Sequence, residues 1–217
     1  MKRWFIAMTL SVFVVSSALL TACSAPPQGS AEWYFRHAYE LASRGEYQAA
    51  IDTYTEAIKV EPGMAKLYVN RAAAYASLEE YEQVIADCTK ALTLDSKLSL
   101  AYINRAFAYN SEGEYELAIQ DCDKAIDLGK NTAAAYTTRA YAHLQLGDLT
   151  QAVSDCNEAI ELQPEMTLAY YHRAFALKVL GKTDEAIDDF SKFIKLSDDT
   201  KLVQIAREQI ELLSKSP

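Results

Sequence analysis

The sequence predicts an all-α fold, a solenoid of stacked helical hairpins closed by a terminal helix. Three observations lead there. Between Ala31 and Thr200 the chain repeats itself five times with a period of 34 residues and no insertion. Each period holds two apolar stripes at the spacing of a helix face. In four of the five periods a glycine stands between the stripes, where one helix must end before the next begins.

Ahead of the repeats, Lys2 and Arg3 precede an apolar run from Trp4 to Leu20, broken only by Thr and Ser. A charged start, an apolar centre and small residues before a cut site predict a secretory signal over residues 1–22 rather than a spanning helix. The run ends in Leu20-Thr21-Ala22-Cys23, which resembles the lipobox of bacterial lipoproteins. That resemblance implies that Cys23 becomes the lipidated first residue of the mature chain. Acyl chains such as palmitate contribute about 0.8 kcal/mol per buried CH₂, so two or more hold a protein on a membrane. Ser24, rather than Asp, leans toward the outer membrane if the host has one. Residues 23–30, rich in Ser, Pro and Gly, are expected to be the lipidated Cys and a short flexible tether.

The repeats run 31–64, 65–98, 99–132, 133–166 and 167–200. The fourth position of each is Tyr34, Tyr68, Tyr102, Tyr136 and Tyr170, and the eighth is Ala38, Ala72, Ala106, Ala140 and Ala174. In the first repeat Tyr34, Ala38 and Leu41 mark one face of a first helix; Ala50, Tyr54, Ala57 and Ile58 mark one face of a second. Gly45, Gly113, Gly147 and Gly181 fall between the two, where the left-handed conformation that ends a helix suits glycine. Pro62 and Pro164 follow second helices and cannot continue them. Small alanines at positions 8, 20 and 27 let helix axes approach closely. Beyond Thr200, in the segment 201–217, Val203, Ala206, Ile210 and Leu213 share one face. They predict a helix that caps the open flank of the last repeat.

An aromatic at position 4, Gly or Ala at 8, Ala at 20 and 27 and Pro at 32 resemble the tetratricopeptide repeat family. The resemblance implies a right-handed superhelical solenoid of helix-turn-helix repeats and a role in binding proteins or peptides. Departures are local: Glu79 stands where Gly is usual, at about 1 kcal/mol for a left-handed non-glycine residue. Val84, Phe193, Ser96, Lys130 and Asp198 also differ from the pattern.

No constellation for catalysis stands out. Cys88, Cys122 and Cys156 share position 24, one period apart. Stacked repeats separate such positions by about 10 Å, too far for one metal ion or a disulfide, so they read as core residues. The three histidines lie in different repeats, and no phosphate loop or nucleophile motif occurs. The chain is therefore expected to be no enzyme and to hold no cofactor or metal. Removing residues 1–22 takes two basic residues and no acid, leaving 19 basic against 30 acidic and a net charge of −11. Such a surface repels nucleic acid.

Arg71, Arg105, Arg139 and Arg173 recur at position 7, and Asp87, Asp121, Asp155 and Asp189 at position 23. Repeat 1 lacks both, having His37 and Thr53, which predicts pairing within each repeat. As an exposed ion pair each would contribute about 0–1 kcal/mol. By the family resemblance, positions 2, 5, 6, 9, 12 and 13 of the first helices line a concave groove. Phe35, Tyr39, Phe107, Tyr141, Tyr171 and Phe175 fall there, with Asn70, Asn104 and His172 beside them. Together they are expected to bind an apolar peptide. The Lys and Asn set that grips a C-terminal carboxylate in chaperone-binding members is absent: counted from repeat 1 only Asn70 matches, and the other two registers fare no better. The expected function is a lipid-anchored scaffold for protein partners in the bacterial envelope, outside the cytoplasm. The alternative is a structural subunit that self-associates or assembles a complex without a groove ligand.

Overall fold

The computed structural model describes residues 26–130 and 132–215, so residues 1–22, expected to be a secretory signal, and Cys23 lie outside the described residues. Eleven helices make up the described chain. They are α1 (Ala31–Ser43), α2 (Tyr47–Val60), α3 (Ala65–Ser77), α4 (Tyr81–Leu94), α5 (Ser99–Glu112) and α6 (Tyr115–Asp127). Then follow α7 (Thr132–Leu146), α8 (Leu149–Leu162), α9 (Thr167–Val179), α10 (Thr183–Leu196) and α11 (Thr200–Ser214). From α1 to α9 each odd helix packs on the even helix after it, forming one hairpin per period, and α11 packs on α10. Odd helices also touch the next odd helix, whereas no two even helices make a comparable contact. The odd helices therefore line the inner, concave side of the solenoid and the even helices its outer side.

The helices stop where the sequence places the glycines. Gly45, Gly113, Gly147 and Gly181 adopt φ of 76° to 83°, and Glu79 is forced to φ 61° at the same position in repeat 2. At the N-terminus, Pro27 to Ser30 form a turn in which the Ser30 amide donates to the Pro27 carbonyl. The Ser30 hydroxyl accepts from the Trp33 amide at 3.2 Å, capping α1.

The alanines at positions 8, 20 and 27 are fully buried wherever they occur, as are Val84 and Phe193, which replace two of them. Cys88, Cys122 and Cys156 are buried free thiols, and Tyr54 and Phe190 fill the same core position in the outer repeats. Burial pushes the Cys88 and Cys156 thiols up to about 12, and the Cys122 thiol up as well. They are packing groups. Two further positions form the joints between hairpins. Leu67, Ala101, Ala135 and Ala169 at position 3, with Ala74, Ala108, Ala142 and Ala176 at position 10, are at most 2% exposed. They pack on the hairpin before them: Leu67 and Ala74 belong to the core of repeat 1, Ala101 and Ala108 to that of repeat 2. Repeat 1 has no predecessor, and there the same positions hold half-buried Trp33 and exposed Glu40.

The arginine and aspartate columns pair within each repeat, as their joint absence from repeat 1 predicts. Arg105 Nε and Nη2 both donate to the Asp121 carboxylate at 2.7 Å, and Arg71–Asp87, Arg139–Asp155 and Arg173–Asp189 repeat that geometry. They are not the exposed pairs expected, because the four aspartates are only 4–6% exposed. The third donor reaches backward. Nη1 of Arg71, Arg105, Arg139 and Arg173 donates to Thr55, Thr89, Asp123 and Asn157 on the second helix of the preceding repeat. Each arginine is a clip across a repeat boundary, and its pairing raises its pKa further above the usual range. Among the described residues no helix precedes repeat 1, and there His37 and Thr53 stand in place of the pair.

The chain ends as a cap. Asp199 accepts from the Lys201 and Leu202 amides to start α11. Ala206 and Leu213 are buried against Phe190 and Phe193, with Leu202, Val203 and Ile210 partly buried beside them. No helix among the described residues is long and apolar enough to cross a membrane.

Candidate functional site

Side chains on the inner face of α1, α3, α5, α7 and α9 divide the groove into two unlike halves. In the N-terminal half two cations converge on one carboxylate. Lys66 Nζ donates to Glu32 at 2.8 Å and sits 4.4 Å above the Phe35 ring, and Arg36 lies 3.5 Å from the same Glu32. Phe35 turns inward, its ring 6.1 Å from buried Tyr54. Asn70 donates to the Lys66 carbonyl within its own helix. Tyr39 is 59% exposed, and the next repeat offers only Ala73 at that position.

The C-terminal half is apolar and carries two adjoining cavities. The first, about 230 Å³, lies between repeats 3 and 4 and reaches repeat 5; Phe107, Asn110, Thr137, Tyr141, Leu168 and His172 are among its walls. The second, about 330 Å³, is walled by Tyr141, Leu144, Tyr171, His172, Phe175 and Val179 among others. No charged residue lines either one. Tyr141 and His172, with ring centres 5.3 Å apart, belong to both and separate them. The aromatic positions are propped from below: Phe107 meets Tyr81 edge-on at 6.0 Å, and Tyr141 meets Tyr115 at 6.5 Å. Burial lowers the His172 pKa to about 4, so its imidazole is neutral at physiological pH.

The structure thus brings Phe107, Tyr141, Tyr171, His172 and Phe175 to one surface, and leaves Phe35, Tyr39, Asn70 and Asn104 outside both cavities. Tyr171 and Phe175 are committed partly to the core, at 4.8 Å from Phe193 and 5.1 Å from Phe190 respectively. Asn110, at position 12, was not singled out by the sequence. It is 6% exposed; its Nδ2 donates to the Thr138 carbonyl at 2.9 Å, and its Oδ1 is buried without a hydrogen-bond donor. A polar residue at a groove-lining position, where Ala42, Ala76 and Leu144 stand in three other repeats, was the available signal.

A larger hollow of about 400 Å³ beside Arg173 is lined by Asn157, Lys182, Glu185 and Asp189 among others. Its guanidinium is already held by Asp189 and Asn157, so the hollow belongs to a repeat joint. Among the described residues no group of His, Cys, Asp or Glu could hold a metal ion.

Tetratricopeptide repeat profiles match residues 31–63, 65–98, 99–131, 133–166 and 168–200. No curated protein matches the chain. Among solved structures it is similar to MamA, residues 41 to the end, from Desulfovibrio magneticus RS-1. That match is 20% identical with a TM-score of 0.67, over 81% of this chain and 100% of that one. It is also similar to PilF of Pseudomonas aeruginosa, at 16% identity and a TM-score of 0.70 over 84% and 88% of the two chains. YrrB, described as a TPR protein with an unusual peptide-binding site, is 20% identical with a TM-score of 0.61 over 83% and 93%. Identities this low establish a shared fold.

Proposed function

We propose that this chain, which belongs to the tetratricopeptide repeat family, is a lipid-anchored adaptor that captures a protein partner in the concave groove of repeats 3 to 5. Members of this family are characteristically non-catalytic interaction scaffolds, and no cofactor enters the reading. One observation supports the groove above all: an uncharged strip runs from Phe107 through Tyr141 and His172 to Val179, with Phe107 46% and Val179 65% exposed. Contiguous exposed apolar surface marks an interaction site. The described peptide-binding site of YrrB, a protein of the same fold, is in keeping with it. Tethering rests on Leu20-Thr21-Ala22-Cys23, on the cell membrane or, where the host has one, on the outer membrane that Ser24 favours. With a net charge of −11 the mature chain gains nothing from anionic headgroups, so acyl burial must supply the attachment.

The test is capture of partners from the native membrane by the tethered protein. Aromatic anchors cost about 2 kcal/mol or more when truncated, about thirtyfold in affinity. Phe107→Ala with Tyr141→Ala should therefore abolish capture while far-UV circular dichroism and melting temperature stay nearly unchanged. Capture at wild-type affinity by the double variant would remove the concave face from consideration. The second reading, a self-associating structural subunit, is favoured by a different feature. Val60, Leu94, Leu162 and Leu196 recur near the ends of second helices and are 37–54% exposed. A concentration-dependent oligomer lost on Val60→Lys with Leu162→Lys, and unaffected by the groove variant, would select it.

A further inference from the structure

We propose that the cavity between repeats 3 and 4 is a pocket for a tryptophan side chain of the partner, whose indole N–H donates to Asn110 Oδ1. The assignment rests on the groove reading above and specifies what the groove selects. Asn110 lines the cavity, its Nδ2 is fixed by the Thr138 carbonyl, and its Oδ1 is left as a buried acceptor with no donor. An unpaired buried acceptor is costly, so a ligand that brings a donor gains what one without it cannot. The neighbouring hydroxyls do not supply that donor. Ser111, Thr137 and Thr138 donate to the carbonyls of Phe107, Ala133 and Ala134 in their own helices. Asn110 Oδ1 and the hydroxyl oxygens of Ser111, Thr137 and Thr138 thus offer lone pairs to a ligand.

Which donor fits follows from the rest of the wall. Phe107, Tyr141 and His172 present rings and Leu168 an aliphatic chain, and no carboxylate lines the cavity. An ammonium or guanidinium would be buried there without a counter-charge, at high cost. A phenylalanine or leucine would fill the space and leave Oδ1 unpaired. A tyrosine hydroxyl brings an oxygen that wants a donor in turn, whereas indole is a donor only. Size agrees. A cavity of about 150 Å³ holds benzene, so the about 230 Å³ present is of the order that a two-ring side chain needs. Oδ1 is covered in the free chain, so the side chains around it must shift for the indole N–H to reach it.

The test titrates the full mature chain, held in detergent micelles, with the neutral peptide acetyl-Gly-Ser-Gly-Trp-Gly-Ser-Gly-amide. Its counterparts carry 3-benzothienylalanine, phenylalanine or arginine in place of tryptophan. Benzothienylalanine has the shape of tryptophan with sulfur where the N–H was, so the comparison isolates one donor. Calorimetry or NMR should show the tryptophan peptide binding about tenfold more tightly than the benzothienyl one. In Asn110→Leu the two should bind alike. The wild-type comparison stands even if that variant fails to fold. Equal affinity of the two in the wild-type chain overturns the donor assignment while leaving an apolar groove intact. Preference for arginine, or no binding by any peptide at millimolar concentration, overturns the pocket. The groove reading itself is judged separately, by capture of the membrane partner with the Phe107 and Tyr141 double variant.

Discussion

Asp121→Ala strikes the joint between the second and third repeats. In the native chain Arg105 gives two bonds of 2.7 Å to Asp121 and one of 3.0 Å to Thr89 of the preceding repeat. The side chains of Arg105 and Asp121 are 18% and 8% exposed, so water cannot replace the lost carboxylate in full. Removing one partner of a buried pair costs about 3–5 kcal/mol, and the partial exposure of the arginine places this variant near about 3 kcal/mol. Asp155→Ala should cost less, because Arg139 keeps a second carboxylate, Asp123, at 2.5 Å. That ranking follows from the clip geometry and from no property of the aspartates alone. Urea denaturation followed by far-UV circular dichroism measures both. In a solenoid each repeat is held by its neighbours, so Asp121→Ala should also broaden the transition by uncoupling the two ends of the array. The combination Arg105→Met with Asp121→Leu should recover most of the loss, since apolar replacement of a buried pair is often neutral. A cost under about 1 kcal/mol for Asp121→Ala, typical of exposed pairs, would refute the account. So would an Asp155→Ala variant less stable than Asp121→Ala.

Three further outcomes are expected. Glu79 holds φ 61°, so Glu79→Gly should stabilise the chain by about 1 kcal/mol in the same denaturation assay; a loss of stability would show that the Glu79 side chain matters more than its backbone. His172 has its pKa lowered by burial from 6.5 to about 4, so the unfolded chain binds more protons between those values. Its contribution is present above about pH 6.5 and is lost as pH falls toward 4, by at most about 2 kcal/mol between pH 7 and pH 5. His172→Phe should flatten that part of the profile, and an unchanged profile would contradict the burial of a neutral imidazole. Cys23→Ser should release the protein from the membrane or leave its signal uncut. Mass spectrometry of the native chain finding Met1 intact or Cys23 unmodified would sink the anchoring proposal.

How much was legible beforehand depends on whether a residue's role is local or lies between repeats. The period of 34, the tyrosines at position 4 and the glycines at position 15 name the hairpins directly, because 3.6-residue periodicity and left-handed helix ends are properties of short segments. The pairing of Arg105 with Asp121 could also be read, since both columns vanish together in repeat 1. The burial of Cys88, Cys122 and Cys156 could be read as well, from a spacing that excludes a shared metal or disulfide and from Tyr54 and Phe190 at the same position. What the sequence could not supply was the geometry across a repeat boundary. The third bond of each arginine, the buried alanines at positions 3 and 10, and the exposure of Glu40 at the open end all depend on the hairpin before. Within the groove the sequence chose aromatics by position, but position does not say which way a ring turns. Phe35 rotates onto Tyr54 and Tyr171 onto Phe193, whereas Phe107 remains half open and Asn110 has an oxygen without a donor. A one-dimensional repeat fixes which residues face inward, and only the packing of neighbouring hairpins decides which of them are left with surface to offer.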